Sequence, residues 1–419
     1  MTSAAMSRVS RDGLRRALPR SLRTGAYLAL VAASLFGALT WMRLVVIGDA
    51  FAFDFEGTLW QPAKAILDGV SPYPAPSPGE VDVGNPALYP PLLMLLVTPL
   101  TVLPWSVASI AWGALLVGAV AAALWVLRVR DPVCYGLALV SAPVVSGVGW
   151  GNATLVLVLA VALAWRWRGE WLRVGIVVGL AIAAKLFLWP LLFWLLGTRR
   201  YRAAGASAVA AAAGVLVPWA VIGFAGLGDY PELLRVAEDV FATHGYSVAT
   251  MVAALGASIG LATWTAFGVG VAFAGCAWLA GRRGADEVSI SLAVLAAILG
   301  SPIVWGYYYA LLLVPLAIAR PRRSWPWALL AGFYLTHRLP RPKLTAEDLL
   351  PGGVACCRPD GVPLASWVFN HAPPGLWPAL GHATLALIIV GGALLPLLRV
   401  GRSAPGLRKP APRAEGGGA

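Results

Sequence analysis

The first polar loop of the chain, residues 48–87, carries an aspartate in an apolar setting. Asp54 lies between Phe53 and Phe55, directly before a segment whose apolar residues have helical spacing. A carboxylate held among aromatic side chains can take a proton from a hydroxyl group and so act as a general base. The alternative is a helix N-cap or a solvated loop acid, because aspartate also favours those positions. Asp54 is therefore a candidate catalytic base, and the loop alone leaves both interpretations open.

Lys185 is the only lysine inside a long apolar segment, which runs from Val177 to Phe193. An unpaired charge in a bilayer costs about 2.5–3.5 kcal/mol on insertion scales, so we interpret such a residue as part of a functional site. A lipid phosphate is a natural partner for an ammonium group at this depth. Alternatively, the lysine stem snorkels and carries its charge to the lipid headgroups.

A segment that begins with Ser-Pro connects two apolar stretches and contains Trp305, Tyr307 and Tyr308. These rings could form the walls of a sugar site, or they could belong to the aromatic belt at a membrane interface. The polar loop 338–376 is long enough to cap a bound acceptor molecule. Arg338, at the start of this loop, is a second candidate for binding an anion.

The composition identifies the class of protein in which these residues lie. The chain has 419 residues, of which 59% are hydrophobic and only 12% are charged, whereas soluble domains carry about 25% charged residues. Long apolar runs recur from end to end, so we predict an all-α polytopic membrane protein and exclude a soluble domain, a disordered chain and a coiled coil. The net charge of +13 comes from short basic clusters between apolar runs, which indicates contact with membrane lipids and not with nucleic acid.

These basic clusters also determine the predicted topology. The positive-inside rule assigns them to the cytoplasm, so each stretch between two clusters must leave and return. This arrangement predicts about 12–13 helical segments, some short or re-entrant, with both termini in the cytoplasm. The predicted parts are a basic N-terminus at 1–23, a transmembrane domain at 24–399 with outer loops at 48–87, 227–257 and 338–376, and a basic disordered tail at 400–419.

Several apolar segments are too short or too rich in proline to cross the membrane as single helices. Residues 174–198 cannot cross twice at about 20 residues per crossing, so they predict two half-depth helices with a break near Lys185. Residues 88–103 contain several prolines and are expected to be short, broken or re-entrant. Residues 132–165 predict a tight hairpin with Asn152 at its tip.

This topology places unusual polar and aromatic residues at one face of the membrane, the outer face. They are Asp54, Tyr89, Asn152, Lys185, Tyr246, Ser247, Trp305, Tyr307, His337 and Arg338. Irregular backbone at membrane depth is tolerated only where protein buries it or where it lines a cavity. We therefore predict a shared polar cavity at the outer face.

Five short motifs follow one another along the chain. They are Asp54 with a following helix that ends in Gly69-Val70-Ser71-Pro72-Tyr73; Tyr89-Pro90-Pro91 with Leu103-Pro104; Gly149-Trp150-Gly151-Asn152; Gly179 to Lys185 with Arg199-Arg200; and Ser301-Pro302-Ile303-Val304-Trp305. Their order and spacing, across residues 25–400, resemble those of glycosyltransferase family 87.

The resemblance implies a GT-C-type helical bundle with its active-site cavity at the outer face of the plasma membrane. A hexosyl group, with mannose as the expected sugar, would move from a polyprenyl-phosphate sugar donor to a hydroxyl of a glycolipid or lipoglycan acceptor, with inversion at the anomeric carbon. Asp54 would be the catalytic base, and Lys185 and Arg338 would bind the donor phosphate. The residues implied at the substrate are Tyr89, Asn152, Trp305, Tyr307 and Tyr308.

The resemblance also implies that the reaction uses no cofactor and no metal ion, since a phosphate monoester leaving group creates little need for a divalent cation. The chain departs from the family's motifs at several positions. Trp150 stands where the family has a glutamine, and Tyr307 and Tyr308 stand where histidines are expected. The proline expected after the lysine is displaced to Pro190, and an Asn-x-Ser appears as Gly245-Tyr246-Ser247.

A second class of function is a lipid-linked sugar flippase or transporter without catalytic activity. Broken helices around a lysine at mid-depth also suit such a protein. Transporters usually contain internal repeats, and the segment 130–200 is not repeated later in the chain. The long polar loops lie on one predicted side only, which favours chemistry at that face.

Overall fold

The computed structural model of the protein describes residues 20–48, 50–84, 86–241, 244–336 and 376–400. Within these ranges the regular structure is helical and no β-strand forms, which confirms the predicted all-α class. The helices of the N-terminal half are α1 Arg20–Ile47, α2 Gln61–Leu67, α3 Pro78–Gly84, α4 Leu92–Val97, α5 Trp105–Val126, α6 Pro132–Leu139, α7 Ala142–Trp150, α8 Thr154–Arg166 and α9 Trp171–Ala184. Those that follow are α10 Leu191–Gly197, α11 Tyr201–Val221, α12 Tyr230–Phe241, α13 Val248–Ala254, α14 Ile259–Arg282, α15 Asp286–Leu299, α16 Leu313–Ala319 and α17 Leu376–Val400.

Shorter elements connect several of these helices. They are a helical turn at Phe53–Phe55, a π-helical turn at Glu56–Trp60, 3-10 turns at Thr98–Val102, Leu186–Leu188, Gly306–Leu312 and Leu329–Gly332, and single α-turns at Trp325–Ala328 and Phe333–Thr336. Many apolar stretches are therefore divided into two short pieces, as the proline-rich segments predict.

Five helices in the described part of the chain are long and apolar enough to cross a membrane, namely α1, α5, α11, α14 and α17. The pair α6 and α7 is bent by 54° and adds one broken span at most. Side chains such as Phe36 and Ile110 project outward from these helices with most of their surface exposed. Exposed apolar side chains on long apolar helices require a lipid environment, so the chain is a polytopic membrane protein.

The predicted break at Lys185 is present. Helix α9 ends at Ala184, and Lys185 has an extended backbone with φ −147° and ψ 108°. A 3-10 turn follows at Leu186–Leu188, and α10 begins directly after Pro190. Proline lacks the amide hydrogen that an internal helical position would donate, so the chain restarts its helix at this residue.

The other local predictions for the apolar segments are also confirmed. The hairpin between 132 and 165 turns at Gly151, which has a left-handed φ of 71° that glycine adopts without a steric penalty. Residues 88–103 fold into the short helix α4 and a 3-10 turn instead of one long span. The predicted outer loop 227–257 contains the amphipathic helix α12, which exposes Glu232 and Arg235 and buries Leu233.

Small residues allow the central helices to pack at short distances. Gly175 and Gly179 of α9 face α11, and a Cβ atom at Gly179 would lie 2.5 Å from the carbonyl oxygen of Ser207. Helices α14 and α15 meet at a similar contact, since a Cβ atom at Gly300 would lie 2.5 Å from the Cα atom of Gly270. Such close approach between helix backbones is typical of membrane bundles, where packing and not water expulsion drives association.

The predicted boundaries of the transmembrane domain, at residues 23/24 and 399/400, stay predictions. Residues 1–19, 337–375 and 401–419 lie outside the described residues. The terminal segments and nearly all of the predicted outer loop 338–376 therefore receive no structural account. This also applies to two of the residues singled out from the sequence, His337 and Arg338.

Candidate active site

Asp54 is held against the tip of the hairpin between α7 and α8. The amide of Ala52 donates to the carbonyl oxygen of Gly149 at 2.7 Å, and Trp112 Nε1 donates to the carbonyl oxygen of Gly151 at 2.7 Å. A Cβ atom at Gly151 would lie 2.8 Å from Cβ of Phe55. Only glycine permits this approach, so the hairpin tip and the helical turn that carries Asp54 are docked as one unit.

Asn152 joins Asp54 to Lys185. Its Nδ2 donates to Asp54 Oδ2 at 2.7 Å, and its Oδ1 accepts a hydrogen bond from Lys185 Nζ at 2.9 Å. The opposite ends of one amide therefore contact a carboxylate and an ammonium group. All three side chains are buried, with 8% of Asp54 and 2% each of Asn152 and Lys185 exposed.

Thr154 completes the network and was not predicted from the sequence. Its hydroxyl donates to Asn152 Oδ1 at 2.7 Å and accepts from Lys185 Nζ at 2.9 Å. Its backbone amide also donates to Asn152 Oδ1 at 3.0 Å. The Asn152 carbonyl thus faces three donors, which fixes the orientation of the amide and, through it, that of Asp54 and Lys185.

This network decides between the alternatives that the sequence left open for the two charged residues. Asp54 lies within the first helical turn, Ala52 occupies the N-cap position, and the Asp54 carboxylate accepts from Asn152. The N-cap interpretation and the solvated-acid interpretation are therefore wrong. Lys185 does not snorkel, because its ammonium group is bound to Asn152 and Thr154 in the interior.

Three tyrosine rings surround the ammonium group of Lys185. The distances from Nζ to the ring centres are 4.5 Å for Tyr89, 4.7 Å for Tyr308 and 5.9 Å for Tyr307. These cation–π contacts stabilise the charge in a site with little water. The hydroxyl of Tyr307 also hydrogen-bonds to the Asp54 carboxylate. Tyr307 and Tyr308 are 3% and 7% exposed, so they do not form an interface belt.

A cavity of about 390 Å³ lies in front of the network. Among the predicted site residues, those that line it are Asp54, Tyr89, Lys185, Trp305, Tyr307 and Tyr308. Asn152 does not line the cavity, so the structure shows it as a bridge behind the two charged groups. The walls also contain residues that the sequence analysis did not single out, among them Thr58, Phe187, Phe267 and Glu238.

Trp305 reaches the cavity because a neighbouring loop fixes the backbone beside it. The amide of Tyr246 donates to the carbonyl oxygen of Val304 at 2.6 Å, and Tyr309 Oη donates to the carbonyl oxygen of Tyr246 at 2.8 Å. Tyr246 and Ser247 do not line the cavity themselves. Tyr246 therefore supports the backbone beside Trp305. Ser247 instead caps helix α13, since its hydroxyl accepts a hydrogen bond from the amide of Thr250. The predicted topology places all three residues at the same face.

Within the described residues, no group of three or more His, Cys, Asp or Glu side chains could hold a metal ion. The expectation that the reaction uses neither a metal nor a cofactor stays a prediction. The site instead offers one carboxylate and one ammonium group at opposite ends of an amide. This arrangement can remove a proton from a hydroxyl group and stabilise an anionic leaving group in the same cavity.

The model of glycosyltransferase family 87 matches residues 87–315, which is more than half of the chain. The chain belongs to glycosyltransferase family 87. The matched range includes every predicted site residue that lines the cavity except Asp54, which precedes it. Membership of this family identifies the protein as a membrane glycosyltransferase and disfavours the flippase or transporter.

A curated relative from Mycolicibacterium smegmatis is 26% identical over 378 residues, with 83% of each chain covered. That protein is a polyprenol-phosphate-mannose-dependent alpha-(1-2)-phosphatidylinositol pentamannoside mannosyltransferase. No solved structure matches this family 87 chain.

Proposed function

We propose that this family 87 glycosyltransferase transfers a hexosyl group from a polyprenyl-phosphate sugar to a hydroxyl of a glycolipid or lipoglycan. Mannose is the proposed sugar, because the relative from Mycolicibacterium smegmatis depends on polyprenol-phosphate-mannose. The observation that carries the proposal is the network in which Asn152 joins Asp54 to Lys185 at the wall of one cavity.

Asp54 accepts the proton of the acceptor hydroxyl as its oxygen attacks the anomeric carbon of the donor sugar. The bond between that carbon and the phosphate oxygen breaks, and the lipid phosphate leaves with one additional negative charge. In-line displacement inverts the configuration at the anomeric carbon. Lys185 lies in the same cavity and stabilises the charge that develops on the phosphate.

The surroundings of both groups strengthen these roles. Asp54 and Lys185 lie in a buried site where electrostatic interactions are less screened than in water. Asn152 holds Asp54 through one oxygen, Oδ2, which leaves acceptor capacity on the carboxylate for the incoming hydroxyl. Because Lys185 is fixed by two hydrogen bonds and three aromatic rings, its ammonium group needs little reorganisation during the reaction.

The shape of the cavity supports a donor with a lipid tail. Its wall extends from Lys185 to Leu186 and Phe267, which are 44% and 43% exposed at the surface of the bundle. An isoprenoid chain can therefore stay among the membrane lipids while its phosphate reaches the ammonium group. A soluble sugar nucleotide carries no lipid chain that could occupy such an apolar opening.

The proposed location at the outer face of the plasma membrane is supported by a cluster at the other end of the central helices. Asp286 accepts two hydrogen bonds from Arg200, at 2.9 and 2.7 Å, and lies 3.5 Å from Arg168. Helices α9 and α15 begin beside this cluster and end beside the cavity, about 21 Å away for 14 residues each. Since basic clusters favour the cytoplasm, the cavity would open on the opposite side.

The proposal is tested by measuring sugar transfer in membranes that contain the protein. Radiolabelled polyprenyl-phosphate-mannose and a bacterial lipid extract supply the two substrates, and the product is labelled glycolipid. Asp54→Asn keeps the shape of the side chain and removes the base, so we expect transfer to fall by at least about a hundredfold. Asp68→Asn is the matched control, because Asp68 is an exposed acid of the same loop.

Asp68→Asn should transfer mannose at the wild-type rate. An Asp54→Asn variant as active as the wild type would contradict the role of Asp54. A wild-type protein that binds the donor but transfers no label from it to any lipid would contradict the choice of mannose or of the acceptor class.

A further inference from the structure

Helix α12 presents three different faces. Its core face is buried and carries Leu233, Val236 and Ala237. Its solvent face carries Glu232, Arg235 and Asp239, and Arg235 forms ion pairs with both acids. Its third face lines the cavity with Leu234, Glu238 and Phe241, whose spacing places them on one side of a helix. The second carboxylate of the cavity wall therefore comes from this helix.

Glu238 is a carboxylate without a partner among the residues that the structure describes. Within the described residues, its carboxylate makes no hydrogen bond and no ion pair, unlike the neighbouring Glu232, which is held by Arg235. Glu238 is half-buried between two apolar residues of its own face. A carboxylate in such a position gains from hydrogen-bond donors that a ligand brings into the cavity.

An aromatic wall lies beside this carboxylate. Phe241 packs edge-on against Trp305 with 6.0 Å between the ring centres, and both residues line the cavity. A carboxylate accepts hydrogen bonds from neighbouring hydroxyl groups of a pyranose. Aromatic rings pack against the C–H face of the same pyranose ring. The combination of Glu238 with these two rings therefore suits a neutral glycan.

The two charged side chains Lys185 and Glu238 favour different positions for the donor and the acceptor within the cavity. The phosphate of the donor is attracted by Lys185 and repelled by Glu238. Lys185 is 2% exposed and lies in the interior, whereas Glu238 lies on an amphipathic helix at the mouth of the cavity. Helix α12 is fixed there by Tyr230 Oη, which donates to the carbonyl oxygen of Leu88 at 3.0 Å. The donor phosphate thus belongs at the inner end, and the uncharged sugar residues of the acceptor belong at the mouth.

We propose that Glu238, together with Phe241 and Trp305, binds the glycan headgroup of the acceptor by accepting hydrogen bonds from its hydroxyl groups. This subsite orients the acceptor so that one hydroxyl reaches Asp54. The inference rests on the proposed glycosyl transfer and adds the element that selects the acceptor.

The test is a kinetic comparison of purified wild-type protein with Glu238→Gln and Glu238→Ala. Polyprenyl-phosphate-mannose is the donor, and phosphatidylinositol mannosides in detergent micelles are the acceptor. Loss of a charge-assisted hydrogen bond should raise the KM for the acceptor roughly tenfold in Glu238→Gln, and further in Glu238→Ala. The KM for the donor should stay within about twofold of the wild type, which also shows that the site is folded.

Asp239→Asn is the matched control, because it neutralises the adjacent acid on the solvent face of the same helix. Its KM for the acceptor should equal that of the wild type. An unchanged acceptor KM in both Glu238 variants, or a rise confined to the donor KM, would overturn the inference. A wild-type protein that transfers no mannose to these lipids would instead contradict the proposed function.

Discussion

Among the single residues of the site, Asn152 connects the two charged groups. It contacts Asp54 at one end of its amide and Lys185 at the other. Asp54 lies 98 positions and Lys185 lies 33 positions away from Asn152 in the chain. Asn152 is a positioning residue, since it does not line the cavity. Thr154 acts in the same way, because its hydroxyl contacts both Asn152 and Lys185.

Thr154→Val should lower kcat/KM for transfer roughly 10- to 100-fold, because it removes the hydrogen bond to the Lys185 ammonium group and keeps the volume of the side chain. Thr154→Ser is the matched control and should stay near the wild-type value, since it retains the hydroxyl. The measurement is steady-state transfer from polyprenyl-phosphate-mannose. Equal activity of the valine and serine variants would show that Thr154 has no positioning role.

The residue types predicted the two charged groups and four aromatic residues of the cavity wall, but other members of the site, such as Thr154 and Glu238, were missed. Asp54 and Lys185 stand out in the sequence because each is a charge in an apolar setting. Thr154 is an ordinary residue at the start of a helix, and only its contact with Lys185 reveals its role. Glu238 could have been found from its spacing to Leu234 and Phe241, but an acid on an amphipathic helix usually faces water.

At the scale of elements, interruptions of the helices create the site. Lys185 lies in the break between α9 and α10, and Asn152 lies in the turn between α7 and α8. Both interruptions could be predicted, because proline, glycine and segment length are local features of the sequence. The docking of the Asp54 turn on the hairpin tip could not be predicted, since it depends on contacts between residues about a hundred positions apart.

The packing of α9 on α11 should determine where Lys185 lies. Gly179→Ala should lower the free energy of unfolding by about 1–3 kcal/mol, because the new methyl group meets the backbone of Ser207. Gly205→Ala on α11 is the matched control, since open space surrounds that position and both changes gain similar helix propensity. Thermal unfolding in detergent measures the difference, and a Gly179→Ala protein as stable as Gly205→Ala would contradict this packing.

At the scale of the whole molecule, the two ends of the bundle differ in charge. The end with Arg168, Arg200 and Asp286 carries ion pairs and lies beside further arginines. The other end holds the cavity under α12. This polarity supports the proposed orientation, in which the cavity opens at the outer face and both termini are predicted to lie in the cytoplasm.

Reporter fusions in a bacterial host test this orientation. Green fluorescent protein fused after residue 419 should fluoresce, because that end is predicted to be cytoplasmic. Alkaline phosphatase fused after Gly228, just before α12, should be active, since its disulfides form only in an oxidising outer compartment. An inactive phosphatase at Gly228 combined with a dark fluorescent protein at the C-terminus would reverse the proposed orientation.

The proposed mechanism gives Asp54 and Lys185 separate roles within one cavity. The most direct measurement combines the Kd for polyprenyl-phosphate-mannose with the single-turnover rate of transfer, for the wild type, Asp54→Asn and Lys185→Met. We predict that Asp54→Asn binds the donor normally and loses at least about a hundredfold in rate. Lys185→Met should bind the donor at least about tenfold more weakly. An Asp54→Asn protein with the wild-type rate, or a Lys185→Met protein with the wild-type Kd and rate, would contradict these two roles.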